Sequence, residues 1–445
     1  MWLRIKSFFF SNRSHKQILL KNTFWLGLIE FFSKIIMFVV TVLIVRSFGP
    51  ENFGRLNIAF SYVAIFMVLS DFGLNTISTR EIAKNPQKKQ KYFSNVFTIK
   101  LLISFLLIIL SFILSPILHA DPFIQKLFIL TVIFNLIQNL TNFFCAVFSG
   151  LEIMEFVFTT RIIHYLGLFV SAIFVTQNRL GLDILLVAYI VTNMFMFIIT
   201  LLMFKKRKIE LSFSFDFVFW KKIMKETLPL LGITVATSIY LNNDTILIGR
   251  YFGPQSTGLY QSAYKILFAF LSVNIVNTAL FPRISALIQQ KSYQTLSRLI
   301  RFILSISLII LIPLAMIITV FSKQIMNVIY GPAYISAGTA LIFLIWAGVV
   351  NYFRTFTGNF LIASGRQRIF FYAFFAGTIL NLVLNLFLTP KFGYIFCSFS
   401  LLISELLITM VSIFILRITN KQTLVKIKKI RKKFYIDSKP IFLNK

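Results

Sequence analysis

Negative charge is scarce in this chain: 14 Asp and Glu stand against 45 Lys and Arg in 445 residues, a formal net charge of +31. Charge of either sign is sparse, at 13%, where ordinary soluble proteins carry about 25%. Cysteine is nearly absent. Cys145 and Cys397 both sit inside apolar runs, which excludes a disulfide scaffold and gives no support to redox chemistry. The three histidines, His15, His119 and His164, are scattered, so no metal-spaced Cys/His cluster exists. His164 alone lies in an apolar span, and it reads as a hydrogen-bonded polar residue rather than a ligand. HExxH, a Walker A loop and G-x-S-x-G are also missing. The expectation is therefore a protein that is not an enzyme, with no catalytic residues, no metal and no cofactor.

What the chain has in excess is apolar surface. Hydrophobic residues make up 58%, with 54 phenylalanines, and the mean hydropathy is +0.83. A soluble fold of this length has too little interior to hide that much, and a disordered chain lacks the apolar content altogether. An all-α polytopic membrane protein remains. Spans need about 20 mostly apolar residues each. Twelve are expected, near 23–46, 54–78, 93–115, 127–149, 156–176, 183–204, 228–249, 257–281, 301–321, 338–362, 369–389 and 393–416. The first run is too long for a signal peptide and lacks a small-residue cleavage site.

A basic excess often marks nucleic-acid binding, but here the charges occupy alternate gaps between apolar runs, so no nucleic-acid partner is expected. The gaps on the side of the N-terminus hold 32 Lys and Arg, the opposite gaps 7 at most. By the positive-inside rule both termini are cytoplasmic. Six spans in an N-lobe (1–204) are joined by a linker (205–227) to six in a C-lobe (228–416), followed by a basic tail (417–445). The linker, with Phe215, Phe219, Trp220 and Ile223 among lysines, suits an amphipathic helix at the cytoplasmic interface. The tail, with Lys426, Lys428, Lys429, Arg431, Lys432 and Lys433, suits anionic membrane lipids. The abundant aromatics read as lipid-facing bulk.

The halves also carry an internal repeat. RSFGPENFGRLNIAF at 46–60 and RYFGPQSTGLYQSAY at 250–264 share six of fifteen positions at an offset of 204. Gly49/Gly253 and Gly54/Gly258 are expected to allow unusual backbone angles in a tight turn, and Pro50/Pro254 to start the following helix. A weaker echo pairs Ser149-Gly150 with Ser364-Gly365. Both copies point the same way, so the lobes are expected to be pseudo-symmetric about an axis along the membrane normal, around a central cavity.

These residues resemble a known family. VRSFGPENFGRLNIAFSYVAIFMVLSDFGLNTISTREIAKN, LNNDTILIGRYFGPQSTGLYQSAYKI, FPRIS and LIASGRQRIFFYAFFAGTILNLVLNLFLTPKFGYI are similar to Wzx-type O-antigen flippases and related polysaccharide exporters. These belong to the multidrug/oligosaccharidyl-lipid/polysaccharide superfamily, and the match covers about residues 18–416. The resemblance implies two six-helix lobes, a cationic cavity and alternating access. It also implies an oligosaccharide on undecaprenyl pyrophosphate as cargo, moved from the cytoplasmic to the periplasmic leaflet of the bacterial inner membrane. A polysaccharide polymerase and a chain-length regulator are further expected partners. One departure is Phe396-Cys397 after Gly393-Tyr394-Ile395, where the family commonly has small residues.

Moving such a headgroup requires a wet, positively charged path, so charges inside spans are the informative positions. The bases are Lys34, Lys100, Arg161, Lys265 and Arg354; the acids are Glu30, Asp71, Asp244 and Glu405. Guanidinium forks and ammonium points both suit phosphate, which makes Lys34, Arg161, Lys265 and Arg354 the candidate substrate-binding residues. Glu30, Asp71, Asp244 and Glu405 are the candidate ion-coupling residues. Glu30 and Lys34, at i and i+4, have the spacing of a helical ion pair. Asp244 and Lys265 are expected at similar depth on two arms of one hairpin, as partners that cargo separates. Thr131, Asn135, Gln138, Asn139, Asn142 and Ser149 form a polar stripe on span four, which reads first as helix glue and second as a sugar-binding wall.

A drug/cation antiporter of the same superfamily would want an acidic cavity, whereas the spans hold five bases to four acids. A membrane polysaccharide polymerase or ligase would need a large outer loop, and the largest outer gap, 323–337, is short.

Overall fold

The computed structural model describes residues 15–206 and 209–419, so all but the first three residues of the basic tail expected at 417–445 lie outside the described residues. Every regular element among the described residues is helical: α1 His15–Asp71, α2 Leu74–Lys84, α3 Lys89–Leu118, α4 Pro122–Gly150, α5 Met154–Gln177, α6 Leu182–Lys206, α7 Phe217–Phe270, α8 Ile275–Gln289, α9 Tyr293–Val320, α10 Ser322–Tyr330, α11 Gly338–Ala363, α12 Gln367–Phe392 and α13 Ile395–Thr419, with three short 3₁₀ turns. Ten helical stretches are long and apolar enough to cross a membrane. Two of these, Leu20–Lys84 and Leu230–Gln289, run to 65 and 60 residues, well over twice the length one crossing needs. Each is bent at a glycine into two arms, which raises ten stretches to the twelve expected crossings. The described residues fall into two compact units divided between Gln261 and Ser262.

The bends are the repeat seen in the sequence. Gly49 (φ 72°, ψ 173°) and Gly253 (φ 78°, ψ −179°) adopt the same conformation, one open only to glycine, and Pro50 and Pro254 each open the next arm. Gly54 and Gly258 depart from the expectation, because neither has a positive φ. They are glycine for proximity. A Cβ on Gly54 would overlap the carbonyl oxygen of Pro254, and one on Gly258 would overlap that of Pro50. The second echo does not hold in the backbone: Gly365 has φ 73°, whereas Gly150 is helical and lies where a Cβ would meet Thr79 O at 2.9 Å.

In the first unit, span two ends earlier than expected. The helix stops at Asp71, Phe72 (φ 49°) and Gly73 (φ 78°) turn left-handed, and α2 restarts to run through Lys84. The linker is not a helix along its first half either. Residues 209–216 form no helix, with exposure alternating from Leu211 onward, and the helix begins only at Phe217, where Asp216 accepts a hydrogen bond from Phe219 N at 2.9 Å. The cause is legible in LSFSFDF: apolar and polar residues alternate with period two, the strand pattern, and Asp is a good N-cap. The reading of phenylalanine as lipid-facing bulk also needs correction. Phe93, Phe97, Phe143, Phe144, Phe148 and Phe204 form a buried cluster, with ring centroids 4.4 Å apart for Phe144–Phe204 and 5.7 Å for Phe93–Phe143. Phe31, Phe105 and Phe112, by contrast, are exposed.

In the second unit, Phe396-Cys397 packs without disruption. Cys397 is buried with its sulfur 3.3 Å from Thr389 Oγ1, and Phe396 stacks on Phe392 at 5.6 Å. The gap 323–337, expected on the outer side, is filled by α10 and a 3₁₀ turn.

Candidate functional site

A cavity of about 750 Å³ opens in the first unit, walled by α1, α2, α4 and α5. Its polar lining comes from Glu30 on α1, Asn75, Thr76, Thr79 and Arg80 on α2, Asn142 and Ser149 on α4, and Arg161 and Tyr165 on α5. Apolar Leu26, Ile29, Ala146 and Val157 fill the spaces between. The α2 contribution depends on the break at Phe72–Gly73, which re-aims the chain so that four consecutive-turn residues reach one wall.

The electrostatics are mixed but lean positive. Among the described residues Arg161 makes no ion pair. Arg80 is held at the rim by Glu81 (2.8 Å) and Glu226 (3.2 Å). Glu30 is bound by Lys34 at 3.2 Å, and both are well exposed, so the pair is cheap to open in energetic terms. Two guanidiniums, amides and hydroxyls around one carboxylate can bind an anion together with a hydroxyl-rich group.

The remaining candidates stand apart from this cavity. Asp71 pairs with Lys100 at 2.8 Å, and Lys100 also donates to Asn139 Oδ1 at 2.6 Å. Arg354 pairs with Glu405 at 2.6 Å in the second unit, with Asn351 donating to the other carboxylate oxygen at 3.0 Å and the guanidinium 5.5 Å from the Phe374 ring centre. Asp244 accepts a hydrogen bond from Tyr260 Oη at 2.6 Å. Lys265, its expected partner, is half-buried and belongs to the second unit. Of the eight candidates, then, only Glu30 and Arg161 line the cavity, with Lys34 held beside it through Glu30.

The polar stripe of span four divides by function along its length. Gln138 Nε2 lies 3.2 Å from His164 Nε2, which accounts for His164 as a hydrogen-bonded residue, and Asn139 bonds Ser70 and Lys100. Asn142 and Ser149, about one and three turns further on, line the cavity. Sequence reasoning missed Arg80, which it left in a charged gap, and Tyr165. It also missed Lys21, which is fully buried against Glu155 at 3.2 Å. Arg80 lay within the DFGLNTISTREIAKN stretch that carries the resemblance, and that was the available signal.

Fold and site together define a multi-pass helical membrane protein with a polar, net-cationic cavity. The profile described as "Polysaccharide biosynthesis protein" matches residues 19–288, and a MatE profile matches residues 229–387. The chain belongs to the polysaccharide biosynthesis protein family, as the resemblance implied. It is 23% identical to a putative O-antigen transporter of Escherichia coli over 93% of this chain and 99% of that one. It is 24% identical to an uncharacterized membrane protein of Methanocaldococcus jannaschii, over 86% of this chain and 80% of the other. Among solved structures, the lipid II flippase MurJ in an inward closed conformation has the same fold, with a TM-score of 0.74 at 16% identity over 88% of this chain and 87% of that chain.

Proposed function

We propose that this protein is a flippase for a lipid-linked oligosaccharide, carrying an undecaprenyl-pyrophosphate-linked repeat unit from the cytoplasmic to the periplasmic leaflet of a bacterial inner membrane by alternating access. The observation that carries the reading is the cavity itself. Arg161 without an ion pair among the described residues, Arg80 at the rim and a wall of amides and hydroxyls offer an anion site beside a sugar site. Relatives named as an O-antigen transporter and a lipid II flippase support the cargo class. The lopsided distribution of Lys and Arg supports cytoplasmic termini, and with them the direction.

In this reading Arg161 and Lys34 meet the pyrophosphate on entry, and Lys265 and Arg354 serve it in the second half of the path. Arg354 is released for that role only when Glu405 gives it up. Glu30, Asp71, Asp244 and Glu405 are the ion-coupling acids, and Glu30 and Glu405 take up a proton or sodium ion as Lys34 and Arg354 are drawn to cargo. A polymerase and a chain-length regulator take the unit after it crosses.

The test is deletion of the gene. Lipid-linked repeat units should accumulate on the cytoplasmic leaflet while their synthesis continues. A halt in synthesis of the unit, or a change in polymer length alone, refutes the flippase. Reporter fusions should place 84–91 and 205–222 in the cytoplasm and 323–337 outside, and the reverse outcome refutes the direction.

A further inference from the structure

The extended segment ahead of α7 has two chemically distinct edges. Its even-numbered residues face α3. Gln90 of α3 pairs with the Glu210 backbone in both directions, donating to the carbonyl at 2.7 Å and accepting from N–H at 3.2 Å, and also donates to Ser212 Oγ at 2.8 Å. Thr98 Oγ1 accepts from Ser214 N at 3.2 Å, and Asn95 Oδ1 accepts from Asp216 N at 3.2 Å. The same Asn95 oxygen accepts from Trp220 Nε1 at 3.0 Å, and Lys91 pairs with Asp216 at 3.2 Å. One face of α3 thus stands where a neighbouring strand would stand in a sheet.

The odd-numbered residues are the exposed ones, with Phe213 also stacked at 6.1 Å on Phe97 of α3. Leu211, Phe213, Phe215 and Phe217 are exposed, from 49% at Leu211 to 71% at Phe217, and Val218 continues the edge. At about 3.3 Å per residue this is an apolar edge roughly 20 Å long. Exposed lysines bracket it: Lys205 and Lys206 before, Lys221, Lys222 and Lys225 after.

An extended chain is normally excluded from the hydrocarbon core of a membrane, because its N–H and C=O groups go unpaired there. Here side chains of α3 pair the backbone groups of the even-numbered residues, so those of the odd-numbered residues stay at headgroup level, where water reaches them, and only the odd side chains enter apolar surroundings. Aromatic side chains with lysines beside them match the boundary between acyl chains and anionic headgroups. A helix apolar enough to cross the membrane ends at Lys206, and the next such stretch begins at Leu230, so the segment lies between two candidate crossings.

We infer that residues 211–218 are an extended interfacial anchor, whose apolar edge enters the headgroup–acyl boundary of an anionic leaflet while α3 holds its polar edge. The anchor needs no flippase activity and is tested apart from it.

The experiment uses spin labels introduced one at a time from Leu211→Cys to Phe217→Cys in the full chain with Cys145→Ser and Cys397→Ser. Labelled protein is reconstituted in bilayers of phosphatidylglycerol or of phosphatidylcholine. In phosphatidylglycerol, collision with oxygen should exceed collision with an aqueous nickel reagent severalfold at 211, 213, 215 and 217, and fall at 212, 214 and 216. Uniform aqueous exposure, or a period near 3.6, overturns the anchor. Replacing the five lysines by Gln should lift the odd positions towards water in phosphatidylglycerol and change nothing in phosphatidylcholine; equal depth with and without them overturns the anionic-lipid part. Asn95→Leu should abolish the alternation in protein that retains its helical circular dichroism. Persistence of the alternation in that variant overturns the role given to α3.

Discussion

Gly54 and Gly258 occupy equivalent places in two hairpins that meet reciprocally, each glycine lying where a Cβ would strike the other hairpin's proline carbonyl oxygen. The atoms struck are backbone, so no rotamer change relieves the overlap. Gly54→Ala or Gly258→Ala should therefore destabilise the protein by about 1–3 kcal/mol, the usual range for overpacking. The double substitution should cost less than the sum, because the hairpins part only once. Gly27→Ala and Gly232→Ala, with nothing within 4 Å of the added carbon, serve as controls. Thermal unfolding in detergent reads all of these, and equal tolerance at Gly54 and Gly27 would refute the contact.

The Asp71–Lys100 pair is asymmetric, with the lysine side chain 1% exposed and the aspartate 32%. Asp71→Ala strands a buried ammonium and should cost about 3–5 kcal/mol. Lys100→Met leaves only a carboxylate that water can reach, so it should cost less. Asp71→Ala combined with Lys100→Met should recover most of the loss. The order of the three melting temperatures is the measurement, and the reverse order would contradict the burial seen here.

Arg161 and Arg354 should separate in their effects. Arg354→Gln leaves Glu405, 2% exposed, without its guanidinium, so folded yield and transport should fall together. Arg161 has no ion pair to lose among the described residues. Arg161→Gln should keep normal yield and melting temperature while surface polysaccharide drops at least about tenfold, a loss of roughly 1.4 kcal/mol of interaction with cargo. Unchanged polysaccharide at matched expression would remove Arg161 from the cargo path.

The Asp216 carboxyl is held below its ordinary range, first by the hydrogen bond from Phe219 N and next by the Lys91 ammonium. A depressed folded pKa means that the cap contributes above the unfolded value, near 3.9, and is lost as pH falls through the folded one. In a variant retaining Trp220 as its only tryptophan, indole emission should be constant at neutral pH and shift as the solution is acidified below about pH 4. Asp216→Asn should remove that transition. An emission change centred near neutrality would point to a different group.

The apolar runs and the Gly-Pro repeat determined that this chain spans a membrane, how many crossings are expected and where two long helices bend between crossings, because length, hydropathy and a Gly-Pro pair act locally. Glu30–Lys34 was legible for the same reason, since one helical turn sets its geometry. The identity of the intramembrane charges was legible too, but most of their partners were not. Asp71 meets Lys100 29 residues away and Arg354 meets Glu405 51 away, and only the rotation and depth of packed helices bring them together. Composition likewise hid which phenylalanines are buried, because a ring facing lipid and a ring facing protein are equally apolar. Gly54 and Gly258 looked like turn residues until the opposing backbone was in place. The linker shows the limit most plainly: its alternation was written in LSFSFDF, yet an extended chain beside a membrane needs hydrogen-bond partners, and only the packing of α3 supplied them.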